Sequence, residues 1–141
     1  RKLLENFLGW RIVKVRKKTI SLFILTLTIL SLQAVTKVEV YYFHYTRRCV
    51  TCQAVESETL KSIQQLYPVQ FKKGLITFKS INLDEKISET LAKKCKAEGQ
   101  ALLVISNNKR VDLTEQGFMY AKSQPEKLKD ELNKVIQPLL K

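Results

Sequence analysis

Glycine and proline are scarce in this 141-residue chain, which has four glycines and three prolines. Together with the absence of low-complexity tracts and internal repeats, this scarcity argues for an ordered domain. A glycine-rich phosphate-binding loop is also absent, so the sequence offers no place for a flavin or a nicotinamide, and we expect no cofactor. The three cysteines exclude a disulfide scaffold without an odd thiol left over. They fit a redox or metal-binding protein better than a secreted protein held together by disulfides.

Positive charge dominates, with a net charge of +12, but it is unevenly distributed. Residues 1–36 carry seven Lys or Arg and one acid, which is half of that net charge. Further lysines cluster at Lys72 and Lys73 and around Cys95. A nucleic-acid surface would interleave such charge with aromatic residues, whereas the aromatics here concentrate on the first predicted strand and its exit. We therefore expect solvated helix faces and no nucleic-acid partner.

An uncharged run, residues 19–36, follows five basic residues that lie between Arg11 and Lys18. A basic flank before such a run is typical of an export signal or a membrane anchor. As a helix, this run would span roughly 27 Å, just enough to cross the hydrocarbon core of a bilayer. Leu32 interrupts the small-residue pattern of a cleavage site. A retained anchor and a cleaved signal both stay open, and a buried core helix is the less favoured alternative.

The chain is thus predicted to have two parts. Residues 1–36 are the basic flank with its signal peptide or membrane anchor, and residues 37–141 are a domain. The positive-inside rule keeps the basic flank in the cytoplasm and places the domain outside. We expect an exported protein on the periplasmic or another extracytoplasmic side, which a retained anchor would tether to the inner membrane through residues 19–36.

Apolar periodicity predicts four strands and three helices in the domain. The strands are residues 38–43, 75–81, 101–105 and 110–113, with Asn107-Asn108 as a turn between the last two. The helices are residues 50–67, ended by Pro68; a segment with Ile87, Leu91 and Cys95 on one face, stopped by Gly99; and a last helix opened by a capping box at residues 123–126. Its inward residues are Leu128, Leu132, Val135, Ile136 and Leu139.

The resulting order, β-α-β-α-β-β-α, places the domain in the α/β class. Two parallel crossovers followed by a hairpin make a mixed four-stranded sheet with helices on both faces. The hydrophobic helix of the N-terminal part precedes this domain.

Cys49 and Cys52 lie two residues apart at the junction of the first strand and the first helix. The first thiol is close to free N–H groups of the helix, whose partial positive charge favours thiolate. The second is one turn away, close enough for a disulfide. Arg47 and Arg48 should hold the pKa of Cys49 below the ordinary value of about 8.5. These features predict a thiol–disulfide oxidoreductase with Cys49 as nucleophile, Cys52 as resolving thiol, and a protein or small-molecule thiol or disulfide as partner.

With this dithiol, residues 38–140 resemble the thioredoxin superfamily, without its first strand and helix. Residues 42–56, 111–114 and 118–121 look more narrowly like the bacterial thioredoxin-like family labelled nitrophenyl compound nitroreductase subunit ArsF. The resemblance places Ala101 where the superfamily has the cis-proline that faces the dithiol and helps to shape its substrate groove. A cis bond before alanine costs about 2.5–4 kcal/mol, so we expect a trans bond. Tyr42 or Phe43 falls where the superfamily has a buried carboxylate, so proton transfer needs another group.

Two other functions stay open on the same residues. Cys49, Cys52 and His44 are the ligands of an alternative metal or metalloid site, although a closed zinc site needs four. Cys95 falls on an apolar helix face, where we expect a buried structural thiol. His44 has further roles open to it, as a tuner of the thiolate, a proton relay or merely a loop residue. The second alternative is a non-catalytic interaction module, in which Ala101 marks the loss of substrate turnover.

Overall fold

Four strands form one mixed sheet in the computed structural model, which describes residues 36–140. The strand order is β2-β1-β3-β4. β1 (Val38–His44) pairs in parallel with β2 (Ile76–Asn82) and antiparallel with β3 (Ala101–Ser106), and β4 (Lys109–Asp112) completes the hairpin with β3. The mixed four-stranded sheet predicted from the sequence is confirmed.

Strand β1 is buried on both of its faces. Val40 and Tyr42 belong to one core cluster, whereas Tyr41 and Phe43 belong to a second cluster on the opposite side of the sheet. Side chains alternate across a strand, so an uninterrupted apolar run can be buried only where both faces are covered. This two-sided burial explains why the run at residues 38–43 is almost entirely apolar.

Helices provide that cover on both faces. Five α-helices lie within residues 36–140: α1 (Val50–Leu66), α2 (Pro68–Lys72), α3 (Glu89–Cys95), α4 (Thr114–Tyr120) and α5 (Pro125–Ile136). Residues of α1 and α5 pack on the side of Val40 and Tyr42, and residues of α3 pack on the side of Tyr41 and Phe43. The α/β class with helices on both faces is therefore confirmed.

Two of these helices, α2 and α4, are missing from the sequence prediction. Pro68 follows the end of α1, as predicted, but it also opens α2, where a proline without an N–H group is tolerated. α4 has only seven residues with Gly117 among them, and both features weaken a helical pattern. The observed order therefore has two more helices than β-α-β-α-β-β-α.

The predicted ends of α3 are wrong. Ile87 lies in a 3-10 turn, Lys86–Ser88, and is 86% exposed, because α3 begins only at Glu89. The helix ends at Cys95 rather than near Gly99. Lys96 takes a left-handed conformation with φ 54°, which lets the Ala97 N–H donate back to the Ala92 carbonyl at 2.9 Å.

The predicted capping box at the start of α5 is also wrong. The Ser123 hydroxyl donates to the Met119 carbonyl at 3.2 Å, and Gln124 occupies the N-cap position without a side-chain cap bond. Glu126 instead forms an ion pair with Lys129. The inward face of this last segment is confirmed: four of its predicted residues are buried and Val135 is partly buried, namely Leu128, Leu132, Ile136 and Leu139 for the first group.

The predicted N-terminal hydrophobic helix lies outside the described residues. Within residues 36–140, the helices are all too short or too polar to cross a membrane.

A close approach at Gly117 provides a test of the packing between α4 and the sheet. A Cβ atom there would lie 3.1 Å from Leu102 Cδ2 and 3.3 Å from Val55 Cγ1, and both neighbours are fully buried. We expect Gly117→Val to lower the free energy of unfolding by about 2 kcal/mol, measured by urea denaturation, because the added atoms have no room. Met119→Val, on the exposed side of the same helix, is the control and should cost about 0.5 kcal/mol or less. Equal losses in the two variants would contradict the packing described.

Candidate functional site

The predicted dithiol lies at the first turn of α1, directly after the loop that follows β1. Cys49 is the N-cap residue of α1, with an extended backbone (φ −75°, ψ 166°). Its Sγ accepts a hydrogen bond from the Cys52 N–H at 3.2 Å. The two cysteines form a disulfide, with their Cα atoms 5.1 Å apart, inside the range that disulfide geometry requires. The structure therefore brings together the two thiols that the sequence singled out.

The two sulfurs differ in their access to solvent. Cys49 is exposed, whereas Cys52 is 4% exposed and lies on the buried side of α1. The cause is the helical geometry, since the N-cap position lies outside the first turn while the residue three positions later turns toward the sheet. In such a pair, Cys49 is the sulfur that a partner molecule can reach.

The loop before the dithiol is held by hydrogen bonds to the end of β2. The Thr46 N–H donates to Asp84 Oδ2 at 2.8 Å, and Asn82 Nδ2 donates to Thr46 Oγ1 at 3.0 Å. The Asp84 N–H donates to Asn82 Oδ1 at 3.1 Å, which fixes the two acceptors relative to each other. The hydrogen bond from the Thr46 backbone lowers the pKa of Asp84 below its ordinary value. Sequence reasoning missed this contact, although Asn82 and Asp84 follow a predicted strand.

Arg47 and Arg48 flank the dithiol in different ways. Arg47 is exposed, while Arg48 forms an ion pair with Glu56 in which both side chains are 29% exposed. Glu56 is one helical turn beyond Cys52, and sequence reasoning did not single it out. Its signal was the spacing, because a carboxylate four residues after Cys52 falls on the same face of α1.

Tyr42 lies beneath this part of α1 and is fully buried. Its hydroxyl has no hydrogen-bond partner among residues 36–140. Burial raises the pKa of Tyr42 to about 12, while the nearby charges of Arg48 and Glu56 act on it in opposite directions. Tyr42, rather than Phe43, therefore shares the α1 side of the sheet, because Phe43 belongs to the cluster on the α3 side.

His44 is buried at the end of β1, and Nδ1 lies 3.0 Å from the Tyr45 carbonyl oxygen. Its ring stacks obliquely near Tyr42, with ring centroids 5.7 Å apart. In the disulfide form, residues 36–140 assemble no group of three His, Cys, Asp or Glu side chains that would hold a metal ion. The alternative ligand set of Cys49, Cys52 and His44 is therefore not brought together.

Ala101 opens β3 and pairs with Phe43, at the same end of the sheet as the dithiol. The peptide bond before Ala101 is trans, as predicted. Gln100 precedes it, and Gln100 Oε1 lies 4.0 Å from Cys52 Sγ. Gln100 also lines a polar cleft of about 420 Å³, together with side chains that include Glu98, Arg110 and Thr114.

Cys95 is a buried free thiol, as predicted. It packs on the Tyr41 and Phe43 side of the sheet, and burial raises its pKa above the ordinary value. Since α3 and α1 lie on opposite faces, Cys95 is separated from the dithiol by the sheet.

The Asp84 contact predicts a pH-dependent contribution to folding. The pKa is lowered in the native state, so the stabilisation is present above the unfolded-state value of about 3.9 and disappears as the pH falls through the lower native pKa. We expect Asp84→Asn to reduce the free energy of unfolding at pH 7 and to match the unsubstituted protein near pH 2, in denaturation curves across this range. Glu85→Gln, at the next and likewise exposed position, should show no such pH-dependent difference. A deficit of constant size at every pH would rule out the ionic contribution.

Neither a protein-family model nor a curated protein matches this chain. A solved chain described as "Structure of a malarial protein" is similar in fold, with 19% sequence identity and a TM-score of 0.44. The match covers 68% of this chain and 98% of that chain. The fold and site described above rest on the sheet topology and the disulfide, independently of that match. The mixed sheet, its helices and the Cys49–Cys52 pair at the start of α1 are compatible with a thioredoxin-like fold.

Proposed function

We propose that this protein is a thiol–disulfide oxidoreductase that acts through Cys49 and Cys52. The observation that carries the proposal is the disulfide between an exposed N-cap cysteine and a buried cysteine one turn later. A structural disulfide would gain little from closing so short a loop, because the entropy removed from the unfolded chain grows with loop length. An accessible sulfur with a resolving partner is instead what disulfide exchange needs.

The exchange proceeds in two displacements. In the reduced protein, the Cys49 thiolate attacks a disulfide of the partner, forms a mixed disulfide and releases one partner thiolate, which takes up a proton. The Cys52 thiolate then attacks Cys49 Sγ, releases the second partner thiol and leaves the Cys49–Cys52 disulfide. Two electrons pass from the protein to the partner, and the reverse sequence oxidises a dithiol partner.

Two contacts favour the Cys49 thiolate. Cys49 is at the N-terminus of a helix of 17 residues, where unpaired N–H groups carry partial positive charge. One of these groups, the Cys52 N–H, already donates to Cys49 Sγ at 3.2 Å. The exposed Arg47 adds positive charge from the solvent side. Arg48 contributes less than its position in the sequence suggests, because its charge is paired with Glu56.

The narrower assignments are part of the same proposal. The similarity of residues 42–56 to the bacterial family labelled nitrophenyl compound nitroreductase subunit ArsF supports a redox role for the dithiol. The basic flank and the uncharged run at residues 19–36 support export to an extracytoplasmic compartment, with a membrane tether if the run is retained. Such compartments permit disulfide chemistry, and a protein or small-molecule thiol there would be the partner.

Cysteine variants test the assignment of the two thiols. Cys49→Ser should abolish reduction of an insulin-type disulfide and exchange with glutathione, because no accessible nucleophile remains. Cys52→Ser should instead accumulate a mixed disulfide at Cys49, which mass spectrometry detects, because the resolving thiol is gone. Cys95→Ser is the matched control and should keep full activity, since that thiol lies on the other side of the sheet.

Activity that survives Cys49→Ser would contradict the proposal and favour an interaction module. Absence of exchange in the unsubstituted protein, combined with tight stoichiometric binding of a soft metal ion, would contradict it in favour of a metal-binding role.

Export is tested with a reporter enzyme that is active only outside the cytoplasm. Fusion of residues 1–36 to alkaline phosphatase should give activity in bacterial cells, since the basic flank stays inside and the following domain is moved across. The control replaces Leu25 and Leu27 by Asp in the same fusion, which interrupts the apolar run and should abolish the activity. A fusion that stays inactive, although expressed, would contradict export.

A further inference from the structure

The second displacement needs a group that takes the proton of Cys52. Only a thiolate attacks a disulfide sulfur, and burial in apolar surroundings favours the neutral thiol. Cys52 is 4% exposed, so bulk water has little access to its proton. The sheet beneath it offers a tyrosine, Tyr42, and no carboxylate. The acceptor must therefore come from another element that faces Cys52.

Glu56 is the carboxylate whose position fits this need. It follows Cys52 by four residues on α1, and side chains at that spacing are neighbours, with Cβ atoms about 5–6 Å apart. Its ion pair with Arg48 holds the carboxylate on the dithiol side of the helix, since Arg48 immediately precedes Cys49. Both side chains are 29% exposed, so a proton that reaches Glu56 can leave to water.

Tyr42 gives an independent sign that a proton-carrying contact is incomplete at this position. Its ring is fully buried, its hydroxyl lacks a partner among residues 36–140, and the two charged groups that act on it are Arg48 and Glu56. A buried hydroxyl without a partner is costly, so such groups are normally paired. In the disulfide form Cys52 has no proton to offer, whereas the reduced form adds an S–H donor to the same region.

We propose that Glu56 accepts the proton of Cys52 during resolution of the mixed disulfide, with Arg48 and Tyr42 as the positioning residues. This inference rests on the oxidoreductase function proposed above. The Cys52 thiol gives its proton to the Glu56 carboxylate, the resulting thiolate forms the new bond to Cys49 Sγ, and the bond from Cys49 to the partner breaks. The partner leaves as a thiolate and is protonated from solvent, and Glu56 returns its proton to water.

The surroundings of Glu56 make its pH dependence interpretable. From the loop it faces Arg48, and from β1 it faces Tyr42, whose neighbour on that strand is His44. The acidic and basic side chains of α5 that form ion pairs do so within α5, at Lys129–Glu126 and Lys134–Glu131. Within residues 36–140, Arg48 is the ion-pair partner of Glu56.

The test follows the decay of the mixed disulfide. The reduced full chain is mixed rapidly with oxidised glutathione from pH 5 to 9, quenched with acid, and analysed by mass spectrometry for the glutathione adduct at Cys49. We expect Glu56→Gln to slow the decay of the adduct by about 100-fold near neutral pH, the lower end of the effect of a positioned acid–base group. Its decay rate should keep rising with pH, because hydroxide must replace the carboxylate.

Glu58→Gln is the matched control. Glu58 is on the same helix, is 25% exposed and also forms an ion pair, with Lys61, but it does not face Cys52 at the four-residue spacing. This variant should keep the decay rate and the pH profile of the unsubstituted protein. Glu56→Asp should recover part of the rate, whereas a purely structural role for the ion pair would not show a recovery tied to the pH profile. Tyr42→Phe, which keeps the ring, should also slow the decay.

The outcomes separate the two proposals. An unsubstituted chain that never forms the glutathione adduct overturns the oxidoreductase function itself. A chain that forms and resolves the adduct, with the same decay in Glu56→Gln as in Glu58→Gln, overturns only the role of Glu56. Equal slowing of adduct formation and decay in Glu56→Gln, together with a lowered midpoint of thermal unfolding, also overturns it, because the carboxylate would then only support the fold.

Discussion

The site depends on the burial and pairing of strand β1. Because both its faces are covered and both its edges are paired, this strand cannot shift register without moving apolar side chains into water. Its parallel pairing with β2 brings Asn82 and Asp84 to the end where β1 stops, and its antiparallel pairing with β3 brings Ala101 there too. Three loops therefore meet at one edge of the sheet, and α1 begins among them.

The difference between the two thiols follows from where α1 begins. Thr46 is fixed to the end of β2 by hydrogen bonds, which leaves three residues before the helix starts at Val50. Cys49 then occupies the N-cap, exposed and next to free N–H groups, while the helical turn carries Cys52 inward. One local feature, the start of a helix against a fixed sheet edge, thus produces an accessible sulfur and a protected one.

Much of this arrangement could be predicted from the sequence, because strands buried on both faces are apolar runs that propensity alone detects. The errors have local causes. Ile87 matches a helical face by spacing, yet the chain there makes a 3-10 turn, and short helices such as α4 carry too few turns for a periodicity to be recognised. Ser123 fits a capping box in the sequence, but its hydroxyl can also bond backward to Met119, and only the structure decides between the two.

The site shows the same limit. The spacing of Cys49 and Cys52 is covalent information, whereas the pair of Arg48 with Glu56 depends on how the loop turns against the helix. That pair also explains how a sheet with Tyr42 beneath the dithiol can still serve proton transfer. A fully buried carboxylate loses its hydration and needs several compensating contacts. A carboxylate at the helix edge, partly hydrated and paired with a guanidinium, avoids most of that desolvation and remains one turn from Cys52. In the proposed mechanism, the apolar character of β1 that fixes the site is kept, because the charge has been placed on α1 instead.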